Sequence, residues 1–171
     1  MALIKSLRNH TPEIGKDCFL AENCTIIGDV VLGDECTIWY QAVIRGDVNS
    51  IRIGHRVNIQ DLAMIHCTYK TAPTRIGNDV SIGHGAIVHG CTIEDEVLIG
   101  MGSIIMDGCI IGRHSIIAAG AVVVPGTIIP EGTVYAGTPA KQMKNVTLEQ
   151  KEHLIKGTAQ RYVKYASWYK D

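Results

Sequence analysis

Aliphatic residues return at every sixth position along most of this chain. The first run is Ile14, Leu20, Ile26, Leu32, Ile38 and Ile44; Ile53, Ile59 and Ile65 follow, then Ile76, Ile82 and Val88, then Ile93, Ile99, Ile105, Ile111, Ile117 and Val123. Many are followed by glycine, as in "LGDEC", "IGHRV", "IGNDV" and "IGMGS". Four residues after the aliphatic stands a second inward candidate, small or β-branched: Cys24, Val30, Cys36, Val57, Val80 and Val97. A helix repeats every 3.6 residues and a strand every 2, so neither alone gives six. A short strand plus a tight turn does. Three such units close a triangular coil of about eighteen residues, and each coil pairs with the next as a parallel ladder about 4.8 Å away.

This hexapeptide pattern resembles that of the left-handed parallel β-helix fold. The left hand follows from the resemblance, because crossovers between parallel strands are ordinarily right-handed. The expectation is one all-β domain: an N-terminal segment over 1–13, the left-handed β-helix over 14–134, a connecting segment over 135–146 and a C-terminal α-helix over 147–169. The helix is read from "TLEQ", a capping box at 147–150, and from Leu148, Ile155, Ala159, Tyr162 and Ala166 at helical spacing. Three steps break the period: nine residues from Ile44 to Ile53, eleven from Ile65 to Ile76 and five from Val88 to Ile93. The longest contains "CTYKTAPT", a turn-rich stretch read as a protruding loop.

Lys and Arg number 16 against 17 Asp and Glu, with no long block of one sign, which argues against nucleic acid and anionic membranes as main partners. No apolar run is long enough to span a bilayer, and the start lacks a signal-peptide pattern, so a cytoplasmic protein is expected. The six cysteines form no CxxC pair. Cys18, Cys24, Cys36 and Cys109 share one phase of the repeat and read as small core residues.

Counting sides modulo three, with each irregular step taken as one side, tells which residues stack. Ile44, Ile65 and Val88 then share a side, and the residues after them, Arg45, His66 and His89, form one column. Asp61 and His84 fall in a second column, on a different side. His66 and His89 can therefore chelate together while His84 points elsewhere. Packing three prisms about a threefold axis brings His84 of one subunit to His66 and His89 of the next, giving three equivalent sites in a homotrimer. The same operation carries Asp61 toward Arg45 of the neighbour. His10, His55, His114 and His153 read as solvated surface residues.

"RGD" at 45–47, "QD" at 60–61, "IH" at 65–66 and "IGHGAIVHGC" at 82–91, set in hexapeptide repeats and followed by "GTPAK" and a helix, resemble the gamma-class carbonic anhydrase family over nearly the whole chain. The resemblance implies that His66, His84 and His89 hold one divalent metal per interface. Zinc is the default in isolated protein, with iron and cobalt as alternatives. It also implies that Gln60 orients the reacting water, that Arg45 and Asp61 pair between subunits, and that Asp47 holds the Arg45 guanidinium near a bicarbonate site. Three neutral imidazoles leave a fourth position for water, whose pKa a dication lowers from 15.7 to about 7, and the resulting hydroxide attacks carbon dioxide.

The sequence departs from the family where protons leave. Well-characterised members carry a glutamate after Arg-x-Asp and a second in an acidic loop; here Val48 follows Asp47, and "CTYKTAPT" contains no acid. Hydration of carbon dioxide is expected to be slow at most. Two further readings remain: acyl transfer from coenzyme A, since hexapeptide acyltransferases share the fold and use a single histidine base, and a non-catalytic trimeric metal-binding accessory protein.

Overall fold

The structure is a computed structural model that describes residues 1–169. The chain winds as a parallel β-solenoid whose rungs stack in the register that the six-residue period predicts. On the first side Ile14 pairs with Leu32, then Ile53, Ile76, Ile93, Ile111 and Ile129 in turn. On the second, Leu20 is followed by Ile38, Ile59, Ile82, Ile99, Ile117 and Tyr135. The third carries Ile26, Ile44, Ile65, Val88, Ile105 and Val123, capped at its start by Ile4. Each irregular step therefore does amount to one side.

These aliphatics form a single axial core. Ile26, Ile38, Ile44, Ile59, Ile65, Ile82, Ile99 and Ile117 are all fully buried. Burying one such side chain contributes about 1.5–3 kcal/mol, and stacking identical residues lets every coil use the same packing. The second inward position is filled as expected by Cys24, Val30, Cys36, Val57, Val80 and Val97. All six cysteines are unpaired thiols; five are buried and Cys18 is half-buried. One corner turns through left-handed backbone in successive coils, at Asp17, Glu35, Arg56, Asp79, Glu96 and His114, with φ between 53 and 59°.

The three irregular steps take three shapes. Residues 43–53 form one long strand paired with Thr25–Leu32, and the register jumps from Gly28 opposite Gly46 to Val30 opposite Ile51. Residues 47–50 thus bulge out against Asp29 alone. The eleven-residue step is a loop closed by an antiparallel bridge between Thr68 and Ala72. The five-residue step turns at Gly90, at φ +56°.

Past the last coil, Thr133–Ala136 pairs antiparallel with Lys141–Asn145. The capping box closes reciprocally: the Thr147 N–H donates to Gln150 Oε1 and the Gln150 N–H to Thr147 Oγ1, both at 3.1 Å. A π-helical stretch, Gln150–Lys156, runs into an α-helix, Gly157–Ser167. Ile155, Ala159 and Ala166 are buried, Ile155 against Ile116 and Val134 on the second side. Leu148, at helical spacing with these residues, lies in the first helical turn but is exposed.

Candidate metal centre

Two clusters gather the residues singled out from the sequence. On the third side the strand ends at 64–66 and 87–89 run in register, so His66 and His89 stand directly beside one another. Their rings are tilted, with centroids 5.0 Å apart, and His66 Nδ1 lies 3.0 Å from His89 Nε2. The bulge at 47–50 brings Asp47 over this pair. Its Oδ1 is 3.0 Å from His66 Nε2, and its Oδ2 accepts from Arg45 Nη1 at 2.6 Å. At the other end, Asp107 Oδ1 lies 2.5 Å from His89 Nδ1, and Asp107 Oδ2 accepts from Thr68 Oγ1.

Each histidine thus offers one nitrogen to a carboxylate. A neutral imidazole has one N–H; when His66 donates from Nε2 and His89 from Nδ1, the nitrogens that face each other carry lone pairs only. Two lone pairs 3.0 Å apart repel unless a cation lies between them. Two imidazoles on one tetrahedral zinc, at 2.0–2.1 Å, hold their nitrogens about 3.3 Å apart, so the pair has nearly the right span.

The electrostatics agree with this reading. Burial pushes His66 below the usual imidazole range against the opposing pull of Asp47, which favours the neutral, ligating form. Burial alone would raise Asp47, yet hydrogen bonds from Arg45 and His66 hold it below its ordinary value. Asp107 behaves likewise, with burial outweighed by Thr68 and His89. Both carboxylates are therefore anionic at neutral pH.

The second cluster sits at the corner that leaves the second side. Asp61 Oδ2 lies 2.8 Å from His84 Nδ1, and His84 Nε2 is 3.5 Å from the hydroxyl of Tyr162 on the terminal helix. Gln60 is buried beside them; its Oε1 accepts from the His84 N–H at 3.2 Å and its Nε2 donates to Asn58 Oδ1 at 2.9 Å. Among the described residues, no hydrogen bond or ion pair joins this cluster to His66 and His89. Nor, among them, does any group of three or more His, Cys, Asp or Glu side chains converge within one chain to hold a metal. Arg45 pairs with Asp47 of its own chain, and Asp61 with His84.

The sequence reading missed Asp107, Thr68 and Tyr162. Asp107 had a signal: Val88 pairs with Ile105, so the residues just past Ile105 belong over His89 one coil on. Cys67, adjacent to His66 in sequence, faces inward, where its thiol donates to Asn49 O at 3.3 Å. Among the described residues no helix is long and apolar enough to cross a membrane.

Known proteins with the same repeats can now be set beside these clusters. The "Bacterial transferase hexapeptide (six repeats)" family matches residues 11–46 and 90–125, and the "Hexapeptide repeat of succinyl-transferase" family matches 73–106. A Methanocaldococcus jannaschii protein named "Probable carbonic anhydrase" is 54% identical over 151 residues, covering 88% of this chain and 94% of its own. The mitochondrial gamma carbonic anhydrase 2 of Arabidopsis thaliana is 42% identical over 91% of this chain, which spans 58% of that longer protein. A crystal structure from Bacillus cereus, described as a candidate acetyltransferase, superposes with a TM-score of 0.95 at 40% identity, covering 98% of this chain and 96% of that one.

Proposed function

Because the chain belongs to the gamma-class carbonic anhydrase family, we propose that it is a metal-dependent hydratase interconverting carbon dioxide and bicarbonate at sites shared between subunits of a homotrimer. The observation that carries this reading is the 3.0 Å approach of His66 Nδ1 to His89 Nε2, each ring held at its other nitrogen by an aspartate. His66 and His89 of one protomer and His84 of a neighbour would hold the metal. A bound dication would supply Lewis acidity and lower the pKa of water toward neutrality. Zinc suits this donor set, and iron or cobalt would satisfy it too.

The chain's own groups then divide the work. Asp47 keeps His66 neutral at the facing nitrogen and anchors Arg45, whose guanidinium offers an anion such as bicarbonate a charged, planar donor set. Gln60 has one amide N–H left after its bond to Asn58, enough to orient a water oxygen. Asp61 holds His84 at Nδ1 and so leaves Nε2 as its donor atom. In the trimer Arg45 and Asp61 of adjacent chains would add an ion pair.

Apolar side chains next to His89, Ile87 and Met106, are partly exposed and support burial of this face against another subunit. Six unpaired cysteines suit a reducing compartment, which supports a cytoplasmic setting. With Val48 after Asp47 and no acid in the 67–74 loop, turnover would be slow and would rise with buffer concentration.

Mixing tests the shared site. His84→Ala and His66→Ala homotrimers would each lose the metal. Unfolding and reassembling them together at equal amounts should restore about a quarter of the sites, since each intact site needs one chain of each kind in the right order. No recovered metal after mixing would refute the intersubunit assignment. Acetyl-CoA consumption should be assayed alongside, because the Bacillus cereus relative is described as a candidate acetyltransferase.

A further inference from the structure

We propose that Asp107, anchored by Thr68, is a positioning residue that fixes the ring of His89, and that the 67–74 loop and the shortened corner at Gly90 exist in this fold to make room for that contact. This rests on the metal reading above. Asp107 lies one coil beyond His89, on the third side, where the register places Ile105 over Val88. Its two carboxylate oxygens are fully employed, Oδ1 by His89 Nδ1 and Oδ2 by the Thr68 hydroxyl. With Nδ1–H committed to the carboxylate, Nε2 of His89 is left as the bare nitrogen that faces His66.

The two departures from the six-residue period meet at this contact. At Gly90 an added Cβ would stand 2.5 Å from Asp107 Oδ1 and 2.9 Å from the Ala72 Cβ, so only glycine leaves space for the carboxylate. The loop supplies Thr68 from its first residues, and Asn49 Nδ2 fixes that loop end by donating to Thr68 O at 3.0 Å. The exit of the loop is tied to the same corner: the Gly90 N–H donates to Thr74 Oγ1 at 3.0 Å, and that hydroxyl donates to His66 O. Asp47 and Asp107 thus grip the two stacked histidines from opposite ends, the first through the nine-residue step and the second through the eleven- and five-residue steps.

Nitrogen-15 NMR of the metal-free protein reads the His89 tautomer, and zinc titration against a competing chelator reads affinity. Wild type should show His89 protonated at Nδ1. Asp107→Ala should abolish that preference and weaken zinc binding 10–100-fold. Asp107→Asn, whose amide oxygen still accepts from Nδ1, should restore the tautomer and part of the affinity. Thr68→Val should weaken binding by a smaller factor with the fold intact, and Asp95→Asn, a corner aspartate elsewhere on the prism, should change neither readout. An unchanged tautomer and affinity in both Asp107→Ala and Thr68→Val would overturn the proposal. If wild type itself binds no zinc, the metal reading falls, and the tautomer measurement alone still decides the role of Asp107.

Discussion

Replacing Gly90 by alanine tests the packing at the candidate centre, with Gly126→Ala as its control. Both glycines adopt left-handed backbone, at φ +56° and +71°, so each substitution carries the penalty of a Cβ in that region, about 1–2 kcal/mol. They differ in what the new methyl meets. At Gly126 nothing lies within 4 Å, whereas at Gly90 the Asp107 carboxylate and the Ala72 methyl are both closer than van der Waals contact allows. Overpacking of this kind costs about 1–3 kcal/mol, so Gly90→Ala should lose about 2–5 kcal/mol in all. Urea unfolding of the metal-free proteins at one fixed protomer concentration gives both numbers. In an Asp107→Ala background the excess at Gly90 should shrink, because the atom it strikes is gone. Equal losses at the two glycines, within about 0.5 kcal/mol, would refute the claim that Gly90 makes room for Asp107.

Truncating the axial core at Ile99, which is fully buried, to alanine should destabilise by about 2–5 kcal/mol in the same urea assay, while Ile128→Ala, 68% exposed, should stay within about 0.5 kcal/mol. The corner pair Arg56–Asp79 is bidentate at 2.7 Å but partly solvated, so a double-mutant cycle should return a coupling of only about 0.2–1 kcal/mol. Cys18 is the one thiol that is not buried; its Sγ–H donates to Gly33 O at 3.3 Å, while the neighbouring Cys36 thiol is buried and donates to Gly54 O at 3.1 Å. Iodoacetamide should therefore label Cys18 alone in native protein, at a rate that rises with pH as the thiolate forms. Labelling of any other cysteine before unfolding would contradict the buried placement of those thiols.

The solenoid was legible in the chain because its information is local and periodic. Every sixth aliphatic is buried for the same reason, so Ile14 through Val123 announce the coil length, and counting modulo three recovers which coils stack. That count put His66 beside His89 and Asp61 beside His84 before any coordinates, because a parallel ladder transmits register from one rung to the next. Family resemblance then supplied the expected chemistry for those columns. The terminal helix is legible through its capping box and its helical spacing, though spacing alone does not tell that Leu148, in the first turn, stays exposed while Ile155 is buried against the coil.

What only the tertiary structure decided lies where the period breaks. A step of nine, eleven or five residues says that the chain leaves the prism wall, not where its side chains go. The bulge aims Asp47 at His66, the loop delivers Thr68, and the corner at Gly90 admits Asp107 to His89. None of these contacts joins residues close in sequence, apart from Asp47 and Arg45; they depend on side-chain direction and on free space between coils. Hydrophobic periodicity determined the scaffold and the stacking of the histidines. Three-dimensional packing decided which carboxylate holds each ring, and hence which nitrogens of His66 and His89 face each other.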